Sequence, residues 1–163
     1  MSIFVKNKET LIFDDFIFRC SVGKKGISEK KTEGDLKTPR GNFEIGNLFF
    51  RKDRCKKPLT KLKCIPIEKK MGWCDDPSNK NYNKLITIKK KINCENLYRK
   101  DHKYDFFIPI HFNTKKIIPG KGSAIFIHLT NNYKGTAGCI ALKKKDFLIL
   151  LKLINRKTKI KIF

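Results

Sequence analysis

What this chain lacks narrows its function before any motif is read. No run of about 18 or more apolar residues occurs, so nothing in it reads as a membrane-spanning helix. Its six cysteines stand at 20, 55, 64, 74, 94 and 139. No two of them form a C-x-x-C pair, so zinc is not expected. Acids are scarce, 15 Asp and Glu against 38 Lys and Arg, which leaves a formal charge of +23. Such an excess suits a polyanion partner. Yet no helix-turn-helix, RNP or zinc-finger pattern accompanies the charge, and the lysines are scattered and not gathered into one arm, so specific nucleic-acid binding is not expected. Met1 to Asp15 offers only short apolar pieces broken by charge, so a secretory signal is not expected there.

Repeats, low-complexity tracts and interdomain linkers are absent as well, and 163 residues are enough for one domain with a substantial core. A single domain over residues 1–163 is predicted, with a monomeric state. Short β-rich apolar runs recur at 2–5, 10–19, 43–49, 84–88, 105–112, 124–129, 139–142 and 158–163, with glycines between them. That pattern predicts a mainly β domain. Phe147, Leu150, Leu151 and Ile154 share one stripe and predict a helix over 143–154. A shorter helix is predicted over 94–98, and residues 51–70 read as a long loop or irregular hairpin.

Two of those runs carry chemistry. Ile125-Phe-Ile-His128 is followed by Thr136-Ala-Gly-Cys139-Ile-Ala-Leu142, which sets one histidine and one cysteine 11 positions apart. A cysteine acyl-transfer enzyme needs a thiolate nucleophile and an imidazole to hold or take its proton. It also needs backbone N–H groups free to close around an oxyanion, and Gly138, with its neighbours Ala137 and Cys139, offers these. Cys139 is the candidate nucleophile, and His128 its base or ion-pair partner. Thr136 is a candidate substrate contact or a shaper of the turn. His102 reads as exposed and His111 as structural.

A second block, Glu33-Gly-Asp-Leu-Lys37-Thr-Pro-Arg-Gly-Asn-Phe43, resembles the entry motif of the YkuD-type L,D-transpeptidase catalytic domain. Gly72-Trp-Cys-Asp-Asp-Pro77, Tyr82-Asn83, the run Glu95 to Asp105, Gly122 to His128, and Thr136 to Leu142 resemble successive signatures of one branch of that family, in family order. Together they span roughly residues 20 to 150. The resemblance implies a curved β-sandwich of mixed sheets with one or two short peripheral helices. It also implies an L,D-transpeptidase acting on peptidoglycan stem peptides through a Cys139 thioester, without a metal or organic cofactor.

The chain departs from the family pattern, whose nucleophile usually sits in Ser/Thr-His-Gly-Cys with an Arg or Asn two residues later. Here those positions hold Ala137 and Ala141. Two other functions remain open on the sequence: an L,D-carboxypeptidase, which resolves the acyl-enzyme with water, and a non-catalytic peptidoglycan or polyanion binding module. The first reading places the protein in the cell envelope and the carboxypeptidase reading in the cytoplasm. Arg99 is a candidate for pairing with a substrate carboxylate, with an ion pair to Asp101 or Asp105 as the alternative. Trp73 and Tyr104 are candidates to line the cleft, and a cleft crowded with Lys121, Lys134 and Lys143 to Lys145 is expected. Residues 35–41 read first as a rigid turn.

Overall fold

Two kinds of apolar pattern build two kinds of strand. Where apolar and polar residues alternate, as in Lys159-Ile-Lys-Ile162, one face is buried and the other solvated. Where the run is continuously apolar, as in Phe106-Phe-Ile-Pro109, every side chain is buried, because both faces of the strand are covered.

The computed structural model describes residues 1–89 and 92–163. Its strands are β1 (Ser2–Lys6), β2 (Thr10–Phe13), β3 (Phe16–Ser21), β4 (Ile27–Ser28), β5 (Thr38–Pro39), β6 (Gly41–Glu44), β7 (Leu48–Phe50) and β8 (Cys64–Pro66). They continue with β9 (Met71–Cys74), β10 (Leu85–Thr87), β11 (Cys94–Asn96), β12 (Phe106–Pro109), β13 (Phe126–Leu129), β14 (Ile140–Leu142) and β15 (Lys159–Ile162), and one helix, α1, spans Lys144–Leu153. Ten strands form a mixed sheet in the order β6-β15-β1-β2-β3-β14-β13-β12-β7-β8. A three-stranded sheet, β10-β9-β11, and the pair β4-β5 complete the architecture.

The long sheet is covered differently on its two faces. On one, Phe147, Leu150, Leu151 and Ile154 of α1 and its C-cap join Ile127, Leu129, Ile140 and Leu142 in the main core. On the other, Phe126 and Cys139 join Phe49, Tyr104 and Phe107 in a second core, against which Met71 and Trp73 of the three-stranded sheet pack. Trp73 meets Phe126 edge to face, with ring centroids 5.2 Å apart. The fold is therefore the curved, mainly β sandwich of mixed sheets that the sequence implies, with a single helix among the described residues.

The helix expected over 94–98 is not formed. Cys94–Asn96 is instead the edge strand β11, with Glu95 opposite Trp73 in β9, because a three-residue segment beside a waiting strand edge gains ladder hydrogen bonds that one helical turn cannot match. The run 10–19 divides into β2 and β3 at Asp14-Asp15, where Asp14 takes a φ of 53°. Residues 51–70 contain β8, which pairs in parallel with β7. All six cysteines are free thiols. No helix among the described residues is long and apolar enough to cross a membrane.

Candidate active site

The register of β13 and β14 brings the two candidate catalytic side chains to one face. Ile127 lies opposite Ile140 and His128 opposite Ala141 in this parallel pair, so Cys139, one residue before β14, lies beside Phe126. Side chains alternate along a strand. Phe126, His128, Cys139 and Ala141 thus share the face turned away from α1. The connection from β13 to β14 rises along the edge of a cavity of about 440 Å³, which His128, Cys139, Tyr104, Thr136 and Ala137 help to line.

His128 is 6% exposed, and its Nδ1 lies 2.8 Å from the Leu129 carbonyl oxygen. A carbonyl can only accept, so Nδ1 carries the proton and Nε2 keeps its lone pair. Tyr104 sets its ring edge to face on the imidazole, centroids 5.5 Å apart. Burial pushes the imidazole pKa down to about 4, so the ring is a neutral base at physiological pH.

Cys139 is 7% exposed. Its Sγ donates to the Ala124 carbonyl at 3.3 Å and accepts the Phe126 N–H, also at 3.3 Å. Burial pushes its pKa up to about 12, against the opposing effect of that N–H. With the thiol far above the imidazole, the resting pair is uncharged and a preformed thiolate–imidazolium pair is disfavoured.

The turn before Cys139 is held from three sides. Thr136 Oγ1 donates to the Cys139 carbonyl at 2.6 Å and accepts the Gly138 N–H at 3.1 Å. Gly138 takes a φ of 141°, and a Cβ there would lie 2.8 Å from the Lys37 carbonyl oxygen. Glycine is required for both reasons. Since the Gly138 N–H is committed to Thr136, its part is conformational, and its two neighbours Ala137 and Cys139 line the cavity together with Gly135 and Thr136. Thr38 Oγ1 supplies the third hold by donating to the Gly138 carbonyl at 2.8 Å. Residues 35–41 are thus the rigid support of this turn and lie outside the cavity lining.

Arg99 lines the cavity, but its guanidinium is engaged. Nε and Nη2 donate to the two oxygens of Asp101 at 2.9 and 2.6 Å, and Nη1 donates to Glu95 at 3.1 Å. The ion-pair alternative is the one formed. Hydrogen bonding to Arg99 draws Asp101 down to about 2. Trp73 is not among the lining residues: its Nε1 donates to Asn83 Oδ1 at 2.9 Å and its ring packs on Phe126. Tyr104 does line the cavity, its hydroxyl donating to Glu95 at 3.0 Å, and burial raises its pKa well above the usual value. His102 is exposed beside Asp105, and His111 sits beside Glu44, both away from the cavity.

Of the lysines expected to crowd the cleft, only Lys134 lines it. Lys143 and Lys144 lie over the rings of Tyr133 and Phe106 instead. Four cationic side chains (Lys31, Arg99, Lys103, Lys134) and three acidic ones (Glu33, Asp75, Glu95) line the cavity, so its wall is nearly balanced within a strongly basic protein. Burial raises the Asp75 pKa, and Glu33, Glu95 and Asp76 raise it further. The sequence reading assigned no role to these acids. Glu33, Asp75 and Glu95 all stand inside the family-like motifs, the one available signal, but a charged residue in a motif does not by itself say which way it points.

The mixed β-sandwich thus turns a buried cysteine and a neutral histidine toward one cavity. The chain belongs to the YkuD family: the sequence model of the L,D-transpeptidase catalytic domain matches residues 1–162. Comparison with curated proteins returned no match. Among solved structures, the fold is similar to the helical cell shape determining protein Pgp2 from Campylobacter jejuni, at 19% identity and a TM-score of 0.54. A lysine-to-alanine variant of Pgp2 is similar at 18% identity and a TM-score of 0.52. Each alignment covers 99% of this chain and 46% of the other, so the chain spans under half of Pgp2.

Proposed function

We propose that this domain is an L,D-transpeptidase-like cysteine acyltransferase acting on peptidoglycan stem peptides. The observation that carries the reading is the shared face of His128 and Cys139. The base has its lone pair on Nε2, the nucleophile is a buried thiol, and both open on one cavity. Cys139 Sγ attacks the carbonyl at the L-centre of the diamino acid at stem position three, and its proton passes to His128 Nε2. The amides of Ala137 and Cys139 face the oxyanion, a contribution of about 3 kcal/mol per donor to the barrier. Collapse expels D-alanine, whose amine takes the proton from His128, and leaves the thioester on Cys139. An amine of a second stem then attacks the thioester, and the thiol is restored.

The charge of the wall supports a zwitterionic peptide. Lys103 and Lys134 make no ion pair among the described residues and can meet a carboxylate, while Asp75 can meet an ammonium. Ala137 and Ala141 set only methyl groups in the cavity, so water competes with the amine for the thioester. Incubation with purified tetrapeptide stem, with and without a free amine acceptor, tests the proposal by mass spectrometry. The expected result is a protein adduct lacking D-alanine, followed by exchanged or cross-linked product. Tripeptide alone at saturating amine would establish the carboxypeptidase instead, and no adduct and no product would leave the binding module.

A further inference from the structure

The dipeptide Tyr82-Asn83 belongs to no step of the reaction above, yet both side chains are buried and both reach the segment that leads into β13. Three consecutive residues there are each held by a side chain from elsewhere in the fold. The Gly122 N–H donates to the Tyr82 hydroxyl oxygen at 2.9 Å. Ser123 Oγ donates to Glu33 Oε2 at 2.7 Å, and the Tyr82 hydroxyl donates to the same oxygen. The Ala124 N–H donates to Asn83 Oδ1 at 3.2 Å.

Asn83 is the hub of this arrangement. Its Oδ1 also accepts Trp73 Nε1, and its Nδ2 donates to the carbonyls of Phe112 and Asn113 at 3.0 and 2.8 Å. All four hydrogen-bonding positions of the amide are therefore used, which fixes which atom is oxygen and which is nitrogen. The side chain is 4% exposed. What it holds is under strain: Ala124 takes a φ of 50°, a conformation unfavourable for a non-glycine residue that persists only where the surroundings fix it. The carbonyl so aimed is the one that accepts the Cys139 thiol at 3.3 Å.

We infer that Asn83, with Tyr82 and Glu33, is a positioning residue for the nucleophile, holding the Ala124 carbonyl where it parks the Cys139 proton until substrate is bound. The inference rests on the reading of Cys139 as nucleophile. A hydrogen bond given by the thiol stabilises its neutral form and raises its pKa, whereas one received from Phe126 N–H stabilises the thiolate and lowers it. Releasing Ala124 removes the first and leaves the second. The thiol then ionises more readily, but it is no longer aimed at the substrate carbonyl, and small displacements of reacting groups cost rate steeply.

Loss of the clamp therefore raises intrinsic thiol reactivity while lowering turnover; local unfolding would also quicken alkylation of this buried thiol, but with the pH midpoint of an exposed cysteine, so the pH profile separates the two. The test is the pH profile of iodoacetamide alkylation, read at the Cys139 peptide by mass spectrometry so that the other five cysteines do not interfere, in wild type, Asn83→Ala and Tyr82→Phe. The stem-peptide turnover of each protein is measured alongside. In Asn83→Ala, Cys139 alkylation at pH 8 should quicken about tenfold, the change in thiolate fraction that a fall of one pKa unit brings. Acylation by stem peptide should fall about tenfold or more. Tyr82→Phe, which removes one hold and keeps the buried ring, should move both in the same directions by less, and it decides the matter if Asn83→Ala does not fold. Unchanged alkylation and turnover in folded variants would overturn the inference and leave the nucleophile in place. A wild type that forms no acyl-enzyme would instead remove the reading beneath it.

Discussion

Thr38 and Gly138 stand 100 positions apart in sequence and meet in a hydrogen bond of 2.8 Å, the Thr38 hydroxyl donating to the Gly138 carbonyl. Thr38 Oγ1 in turn accepts the Gly23 N–H at 2.9 Å. One fully buried hydroxyl therefore joins the segment after β3, the entry motif and the turn of the nucleophile.

Thr38→Val keeps the shape of the side chain and removes both hydrogen bonds. Two buried partners are left unsatisfied, so stability should fall by about 1–3 kcal/mol. Urea denaturation measures the loss. Acylation should slow as well, and a variant as stable and as fast as wild type would show that the turn is held without Thr38.

Cys139→Ala should abolish the acyl-enzyme and leave the fold intact, since it removes one sulfur atom from the edge of a core. Intact-protein mass spectrometry with a carbapenem reads the outcome as one adduct in wild type and none in the variant. An undiminished adduct in Cys139→Ala would move the nucleophile elsewhere.

His128→Gln should slow acylation by about 10² or more, the scale of a lost general base. The neutral imidazole also fixes two pH dependences. Its pKa is lowered from 6.5 to about 4 in the folded state, so it stays a base down to that pH, and the acid limb of wild-type kcat/KM should fall near pH 4 and not near 6.5. For stability, the unfolded chain binds the proton first as pH drops. Stability is then complete above pH 6.5 and is lost as pH falls toward 4, by about 3 kcal/mol. In urea titrations His128→Gln should lack that share of the acid destabilisation, and identical acid profiles for the two proteins would contradict the buried neutral ring.

Amine acceptors should compete better with water as pH rises. Only a neutral amine attacks, and the neutral fraction of the acceptor grows as pH approaches the amine's own pKa. The ratio of exchanged product to tripeptide should therefore increase from pH 7 to 9. A ratio that is flat over this range would mean that acceptor charge does not govern the partition.

That His128 and Cys139 come together was legible in the sequence because each residue interrupts or borders a run that is otherwise wholly apolar. Ile125-Phe-Ile-His128 and Cys139-Ile-Ala-Leu142 are strands covered on both faces, where a polar side chain needs a reason. The support given by residues 35–41 was legible as a rigid turn, though not its target, since Thr38 and Gly138 are joined only by the fold. Arg99 was legible as a cation with two possible partners. Its commitment to Asp101 and Glu95 depends on side-chain geometry that spacing does not fix. Trp73 and Cys94 were misread for a related reason: both belong to the three-stranded sheet, whose short strands carry little periodicity of their own and form because their neighbours are present.

The alternation of β13 and β14 has an evolutionary corollary. Main core and candidate site are written into the same few residues in alternate places, Ile127, Leu129, Ile140 and Leu142 facing α1 and Phe126, His128, Cys139 and Ala141 on the opposite face, where the last three line the cavity. A slip of one position between these strands would exchange the two sets, burying the thiol under the helix and turning Ile140 into the substrate's path. Residues can be added to or removed from the crossover between His128 and Cys139, which this chain keeps short, only if the parity of the pairing survives. The phase of the two strands, and not the length of the loop between them, is what the site depends on.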